Sequence, residues 1–349
     1  MSASAADMFP YSGEFDGAPH GGDLSAARLL FPGAPEPFID LSTGINPYSY
    51  PLPRLPAELF ARLPDSAAYA ALAAAAARAY GAPSPDHVVA APGTQILLPL
   101  VAGLPAPTRA AIVTPTFGEF ARAAALAGHS VTEVREIGAL GKAGLVILAN
   151  PNNPDGRLFD KESLLALGKN PGRRGGVLVV DEAFMDVGRP GESLIPEVSS
   201  GNIVVLRSFG KFFGLAGLRL GFAFAAPPLA ARLAAALGPW AVSGPALAVG
   251  AKALADRAWI EKTRRRLSKA ARRLDAVLTD SGLDVIGGTA LFRLVRTRRA
   301  RELFEHFGRA GILVRIFSEN RTWLRFGLPG AERDWRRLQI AMAAFRDKD

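Results

Sequence analysis

Residues 207–221 have the sequence Arg207-Ser208-Phe209-Gly210-Lys211-Phe212-Phe213-Gly214-Leu215-Ala216-Gly217-Leu218-Arg219-Leu220-Gly221. They directly follow the aliphatic run Ile203–Leu206, and Lys211 lies among phenylalanines and glycines. Apolar surroundings favour the neutral form of an amine, and a neutral lysine amine can form an imine with a carbonyl compound. A solvated surface lysine is the ordinary alternative, and these neighbours disfavour it. We therefore predict that Lys211 is a reactive lysine.

The segments before and after this stretch predict a sheet. From about residue 85 to 225, short aliphatic runs alternate with helical stretches, which is typical of a mostly parallel sheet covered by helices. We therefore expect an α/β fold with a largely parallel central sheet. The runs are Val88–Val89, Ala110–Val113, Val131–Val134, Leu145–Leu148, Val177–Val180, Ile203–Leu206 and Leu218–Phe224.

The pattern changes after Ala225-Ala226-Pro227-Pro228. A long helical region extends to about Ser281, and short predicted strands and two more helices follow it. The first forty residues are rich in glycine and proline and indicate an arm. We predict an N-terminal arm at 1–40, a large domain at 41–228 and a smaller α+β domain at 229–349, with the arm packing on the smaller domain.

Composition excludes several classes of protein. The 349 residues contain no cysteine, so disulfides, thiolate metal sites and thiol nucleophiles are excluded, and we expect no metal site. No apolar run reaches the roughly 18 residues that a membrane span needs. The first basic residue is Arg28, so the positive start of a secretory signal is missing. These features predict a cytoplasmic protein without a membrane partner.

The net charge of +9 is concentrated near the C-terminus, where residues 257–349 carry 22 Lys+Arg against 11 Asp+Glu. Within 260–277 the basic residues alternate with apolar ones, which predicts one amphipathic helix with a solvated basic face. No nucleic-acid motif accompanies the charge, so we expect no nucleic-acid partner. Attraction of a small phosphorylated molecule is the next interpretation.

Polar residues follow the predicted strands, at the edge where ligands of α/β sheets gather. Gly93-Thr94-Gln95 could bind a phosphate at a helix start or simply cap that helix. Phe117 could lie on a flat ligand or pack in the core. Asp181 ends an apolar strand, and a buried carboxylate there needs a cationic or hydrogen-bonding partner such as a pyridinium nitrogen. The segments are Gly93-Thr94-Gln95, Pro115-Thr116-Phe117, Asn150-Pro151-Asn152-Asn153-Pro154 and Asp181-Glu182-Ala183-Phe184.

Taken in order, these motifs and Arg219, eight residues after Lys211, resemble the fold-type I pyridoxal-phosphate enzymes of the aspartate aminotransferase superfamily. Within it the chain resembles histidinol-phosphate aminotransferases and, more closely, the threonine-phosphate decarboxylases of cobalamin biosynthesis. The decarboxylases are favoured by His20-Gly21-Gly22, by the segment from Asp40 to Pro47, and by Phe184 where aminotransferases usually have tyrosine.

The resemblance implies a role for each matching residue. Lys211 would form the imine with pyridoxal 5'-phosphate, and Asp181 would pair with the ring nitrogen. Arg325 would bind the substrate carboxylate. Arg315 and His20 would lie near the substrate phosphate. The other residues implied to bind the cofactor are Asn153 at the ring hydroxyl, Phe117 on the ring face, and Gly93, Thr94, Gln95, Ser208 and Arg219 around the phosphate.

The resemblance also implies a homodimer and a reaction. The reaction is decarboxylation of L-threonine O-3-phosphate to (R)-1-amino-2-propanol O-2-phosphate and CO2. The first alternative is an aminotransferase for histidinol phosphate or a related amino-acid phosphate, which would use the same residues to remove the Cα proton. A non-catalytic regulator or binding protein with this fold is the second, and the presence of Lys211, Asp181, Asn153 and Arg219 disfavours it.

Overall fold

Strands and helices can be assigned over most of the chain. The computed structural model describes residues 21–169, 175–188 and 191–346. By its internal contacts the chain divides into two units. The large unit is Tyr48–Arg266, and the small unit contains the described residues up to Pro47 and from Leu267 onward.

The large unit is built on a seven-stranded sheet with the order β2-β8-β7-β6-β5-β3-β4. All neighbouring strands are parallel except β8, which is antiparallel to β2 and β7. This confirms the predicted, mostly parallel sheet. The strands are β2 (Val88–Ala91), β3 (Arg109–Val113), β4 (Ser130–Val134), β5 (Leu145–Ala149), β6 (Val177–Asp181), β7 (Ile203–Ser208) and β8 (Gly221–Ala225).

Helices pack against this sheet, and the last helix of the unit continues into the small unit. The central strands β5, β6 and β7 are buried almost throughout, which explains why they were visible as continuous aliphatic runs. The helices are α2 (Glu58–Ala61), α3 (Ser66–Tyr80), α4 (Leu97–Ala102), α5 (Glu119–Leu126), α6 (Lys161–Lys169), α7 (Phe209–Phe212), α8 (Pro227–Leu237), α9 (Gly244–Ala255) and α10 (Arg257–Thr279).

Two helices predicted to begin the smaller domain lie in the large unit. Helix α9 packs along α3, and α8 packs on β2 and β8. Ala230 and Leu233 of α8 are part of the apolar core beneath the sheet. The division between the units therefore falls within α10, at 266/267, whereas the sequence pattern suggested 228/229.

The small unit has a five-stranded sheet with the order β1-β11-β12-β10-β9. Only the β1–β11 pair is parallel. Part of the predicted arm supplies α1 and β1, and Phe31 packs edge-on against Phe304 at 5.6 Å between ring centroids. The elements are α1 (Leu24–Leu30), β1 (Ile39–Leu41), β9 (Asp284–Thr289), β10 (Phe292–Arg296), α11 (Ala300–Arg309), β11 (Ile312–Ile316), β12 (Trp323–Gly327) and α12 (Glu332–Arg346).

The basic segment predicted as an amphipathic helix is α10. Its apolar face is buried at Leu267, Leu274 and Leu278, and most of its basic side chains are exposed. Within the described ranges, none of the helices combines the length and the apolar composition that crossing a bilayer requires.

Candidate active site

Three strand ends meet at Gly221 in the large unit. Gly221 begins β8 and pairs with Ala91 at the end of β2 and with Ser208 at the end of β7. A Cβ atom on Gly221 would lie only 2.7 Å from the backbone nitrogen of Thr94. Glycine is therefore required for the segment after β2 to run this close to β8, and the contact brings Thr94 and Ser208 to the same edge of the sheet.

Arg219 is held beside Gly93. Its backbone is left-handed, with φ 52°, and its Nη1 donates to the carbonyl oxygen of Ala216 at 2.9 Å. Gly93 also has a positive φ, 90°, and a Cβ there would lie 2.5 Å from Nη2 of Arg219. The predicted strand Leu218–Phe224 consequently begins only at Gly221, because a tight helical turn and Arg219 precede it. Four of the five predicted phosphate-binding residues are thus gathered at the ends of β2, β7 and β8.

Gln95, the fifth predicted residue, has a different polar contact. Its Nε2 donates to Oε2 of Glu119 at 2.6 Å. Residues 94–96 form a turn, closed by the hydrogen bond from the Leu97 N–H to the Thr94 carbonyl at 3.1 Å. Helix α4 therefore begins at Leu97, later than the motif suggested.

We predict that Gly93→Ala weakens cofactor binding at least about tenfold, because the new methyl group must displace the Arg219 guanidinium and strain a left-handed backbone. Equilibrium dialysis against pyridoxal phosphate measures the effect. Gly138→Ala is the matched control, since a Cβ there meets no atom within 4 Å. Equal affinity in both variants would contradict the role assigned to Gly93.

Asp181 is the last residue of β6, Lys211 lies in α7 directly after β7, and the two charges interact. Asp181 keeps some solvent contact, and its Oδ1 accepts a hydrogen bond from the Ala183 N–H at 2.9 Å. Burial raises the pKa of the Asp181 carboxyl to about 6, although the Ala183 N–H and the positive charge of Lys211 oppose the rise. The Lys211 Nζ lies 5.6 Å from the ring centroid of buried Phe184. A carboxylate at the end of a strand and a half-buried amine are therefore found in the same part of the large unit, beside apolar side chains.

Asn152 links the two loops that carry Asn153 and Phe117. It is buried, its Oδ1 accepts from the Thr116 hydroxyl at 2.9 Å, and its Nδ2 donates to the Pro115 carbonyl at 2.7 Å. Asn153 and half-buried Phe117 are thus held on tied neighbouring loops. Asn152 was not predicted as a site residue; the doubled Asn-Pro motif was the only signal for it.

These residues of the large unit fit the cofactor implied by the resemblance. Gly93 lets the Arg219 guanidinium approach the backbone at this edge of the sheet, Gly221 does the same for the backbone nitrogen of Thr94, and a guanidinium and a backbone N–H are groups that bind phosphate. Asp181 can pair with a ring nitrogen, and Lys211 can supply the amine.

Two arginines lie side by side in the small unit. Arg315 on β11 pairs directly with Arg325 on β12, and the Nη2 of buried Arg325 donates to the Ser42 carbonyl at 2.6 Å. Burial, followed by the nearby charge of Arg315, lowers the pKa of Arg325 to about 9, while Asp40 opposes the shift. Burial also lowers the pKa of Arg315. Like charges opposite each other in a sheet are destabilising, and an anionic ligand would relieve this repulsion. His20 lies outside the described residues.

Known proteins resemble this chain over most of its length. A threonine-phosphate decarboxylase from Sinorhizobium sp is 46% identical over 332 residues, covering 93% of this chain and 97% of that protein. The enzyme of the same name from Pseudomonas aeruginosa is 40% identical, covering 94% and 98%. In fold, the histidinol-phosphate aminotransferase from Sinorhizobium meliloti, solved in complex with pyridoxal-5'-phosphate, matches with a TM-score of 0.77 at 21% identity, covering 93% of this chain and 94% of that chain. Residues 37–344 match the family model for aminotransferase class I and II. The chain therefore belongs to the aminotransferase class I and II family.

Proposed function

We propose that this protein is a pyridoxal-phosphate-dependent decarboxylase that converts L-threonine O-3-phosphate to (R)-1-amino-2-propanol O-2-phosphate and CO2, in cobalamin biosynthesis. The observation that carries the choice of substrate is the adjacent pair Arg315 and Arg325, which suits a small molecule with two anionic groups. The relatives that match almost the whole chain are named for this reaction.

The large unit holds the cofactor in this proposal. Lys211 would attach it covalently, Asp181 would pair with its ring nitrogen, and Arg219 with Gly93 and Ser208 would bind its phosphate. The other residues that would hold it are Phe117 at the ring, Asn153 at the ring hydroxyl, and Thr94 and Gln95 near the phosphate. When bound, the cofactor would supply the electron-accepting ring chemistry that bond cleavage at the substrate Cα requires.

The protein side chains decide which bond at Cα breaks. Arg325 binds the substrate carboxylate through its planar guanidinium, and Arg315 with His20 binds the substrate phosphate. Fixing both ends of a small molecule restricts its rotation to one orientation. In this proposal, that orientation is the one in which the bond from Cα to the carboxylate can break. Lys211 would be freed when the substrate amine takes its place and would then hold a proton. As CO2 leaves, the electron pair of the broken Cα–carboxylate bond would form a new Cα–H bond with that proton.

The reaction is tested by incubating the cofactor-loaded protein with L-threonine O-3-phosphate and no keto acid. A decarboxylase releases CO2 over many turnovers, with one aminopropanol phosphate formed for each CO2. An aminotransferase stops after one half-reaction and needs a keto acid to continue, and a binding protein gives no product. L-Threonine is the matched control substrate, since it lacks only the phosphate that Arg315 is proposed to bind.

Arg325→Gln should reduce kcat/KM about 10- to 100-fold, because a charge-assisted hydrogen-bond pair to the substrate carboxylate is lost. Burial disfavours the Arg325 charge, and glutamine removes that charge while it keeps a polar side chain, so the fold is expected to persist. Arg301→Gln, in an exposed pair with Glu305, is the control and should retain wild-type kinetics. Unchanged kcat/KM in Arg325→Gln would remove this residue from the substrate site.

The proposal includes a cytoplasmic homodimer. The support is the family resemblance, the lack of cysteine and several large apolar side chains exposed on the large unit. Light scattering after size exclusion should give about twice the chain mass of 36.8 kDa. A monomer mass at micromolar concentration would contradict it. The exposed apolar side chains are Leu52, Phe60, Leu63, Ile96, Leu126 and Trp240.

A further inference from the structure

A buried ion pair lies directly behind the cofactor residues of the large unit. Asp181 pairs with Leu206 in the β6–β7 register, so the next residues along the two strands, Glu182 and Arg207, are also neighbours. Their side chains are 0% and 5% exposed, and Arg207 Nη2 lies 3.0 Å from Glu182 Oε2. Successive side chains point to opposite faces of a sheet, so this pair lies on the face opposite to Asp181 and Ser208.

The pair is fixed by further contacts. Glu182 accepts hydrogen bonds from the Leu194 N–H at 2.8 Å and from the Ser193 hydroxyl at 2.7 Å, and its own N–H donates to the Leu206 carbonyl at 2.9 Å. Arg207 Nη1 lies 3.5 Å from Oδ1 of buried Asp186. Both charged groups are therefore held in one place.

Two other elements face the same group of charges. The Tyr80 ring of α3 lies 4.8 Å from the Arg207 guanidinium carbon, and Arg264 of α10 donates to the Asp186 carbonyl at 2.8 Å. Burial raises the pKa values of Tyr80, Glu182 and Asp186.

Stability alone does not account for these charges. Removing an ion pair from water costs about as much as the pair regains, and apolar side chains of similar volume usually pack at least as well. Glu182 and Arg207, however, each adjoin a proposed cofactor residue, Asp181 and Ser208. Their position suggests a role in the cofactor site.

We propose that Glu182 and Arg207 are positioning residues for the cofactor site: their ion pair fixes the ends of β6 and β7, and their opposite charges tune the electric field at Asp181. This inference rests on the proposed function, in which Asp181 pairs with the cofactor ring nitrogen. Both residues would act without touching the cofactor, because they lie on the face of the sheet opposite to Asp181.

The two charges act on Asp181 in opposite directions. The charged groups that act on its carboxyl are Lys211 of α7, on the cofactor side, and Glu182 and Arg207 of β7 from the opposite face of the sheet. The negative charge of Glu182 raises the pKa of Asp181, whereas the positive charge of Arg207 lowers it. If the pair only held the two strands together, removing Glu182 or Arg207 would not shift the pKa of Asp181 in opposite directions.

The test measures pyridoxal phosphate affinity by equilibrium dialysis from pH 4.5 to 8. This range extends from roughly 1.5 units below to roughly 2 units above the Asp181 pKa of about 6. The proteins are wild type, Glu182→Gln, Arg207→Met and the double variant. Affinity falls as Asp181 becomes protonated. We expect the midpoint of this fall to move down by at least about 0.5 pH unit in Glu182→Gln and up by a similar amount in Arg207→Met, with the double variant between them.

Glu305→Gln is the matched control, because it removes one carboxylate from an exposed pair with Arg301 in the small unit. Its midpoint should equal that of wild type. Shifts in the same direction for both single variants, or no shift in Glu182→Gln, would overturn the inference. If Arg207→Met does not fold, Glu182→Gln decides, because Arg207 keeps Asp186 as a partner in that variant. A midpoint that moves down then supports the inference, and an unchanged midpoint overturns it.

Failure of the proposed function gives a different result. In that case wild type itself would show no specific cofactor binding, or binding that Lys211→Ala does not change. A wild type that binds through Lys211 while the variants fail to shift in opposite directions would reject only the role of Glu182 and Arg207.

Discussion

Lys211→Ala protein should retain no visible absorbance of bound cofactor after dialysis, and its decarboxylation rate should fall about 10²- to 10⁴-fold or more. The amine is proposed both to attach the cofactor and to return the proton to Cα, and general acid–base catalysis alone contributes a factor of this size. Alanine can perform neither task. Absorbance spectroscopy before and after dialysis, with the CO2 assay, measures both effects.

Lys252→Ala is the control for this variant. Lys252 is exposed on α9 in the same unit, so its loss should change neither the spectrum nor the rate. If Lys211→Ala protein keeps the wild-type spectrum after dialysis, Lys211 is not the attachment point and the proposed chemistry is wrong.

Asp181→Asn should have opposite effects on the cofactor-free and the cofactor-loaded protein. Without cofactor, the pKa of Asp181 in the fold is about 6, above its ordinary value of 3.8. The unfolded chain therefore loses this proton first, and stability is lost as pH rises from about 4 to about 6. Asparagine does not titrate, so the variant should be the more stable protein at pH 7, by at most about 3 kcal/mol.

With cofactor bound, the order should reverse. Asparagine cannot pair as an anion with a protonated ring nitrogen, so the affinity for pyridoxal phosphate should fall about 10- to 100-fold. Urea unfolding of both proteins at pH 4 and pH 7, with and without cofactor, measures these changes. If the cofactor-free variant is less stable than wild type at pH 7, the ionised Asp181 carboxylate does not destabilise the cofactor-free fold, and this prediction is wrong.

Much of the large unit could be predicted from the sequence because its central strands are buried on both faces. Burial of that kind leaves uninterrupted aliphatic runs, as in Val177–Val180, and glycine or proline marks their ends. The antiparallel direction of β8 was not predictable, since it depends on the turn at Ala216–Leu218 and the left-handed Arg219. The place of α8 and α9 in the large unit depends on packing against α3 and the sheet, which leaves no local signal.

The candidate site was predictable to the extent that its residues follow strands. Asp181, Ser208 and Lys211 were found because the carboxyl ends of parallel strands share one edge. Asn152, Glu182 and Arg207 were not found, because their importance depends on contacts across loops and neighbouring strands. The Gln95–Glu119 hydrogen bond likewise joins two separate segments. The doubled Asn-Pro motif was visible, but which asparagine supports the other was not.

The attachment of the cofactor to one lysine is tested most directly by borohydride reduction, which makes the bond between cofactor and lysine permanent. The reduced protein is digested, and mass spectrometry locates the modified peptide. The prediction is one modified residue, Lys211, within the segment Ser208–Arg219, and none in Asp181→Asn protein that has been dialysed free of cofactor. Modification at another lysine, such as Lys142 or Lys252, with Lys211 unmodified, would contradict the proposed active site.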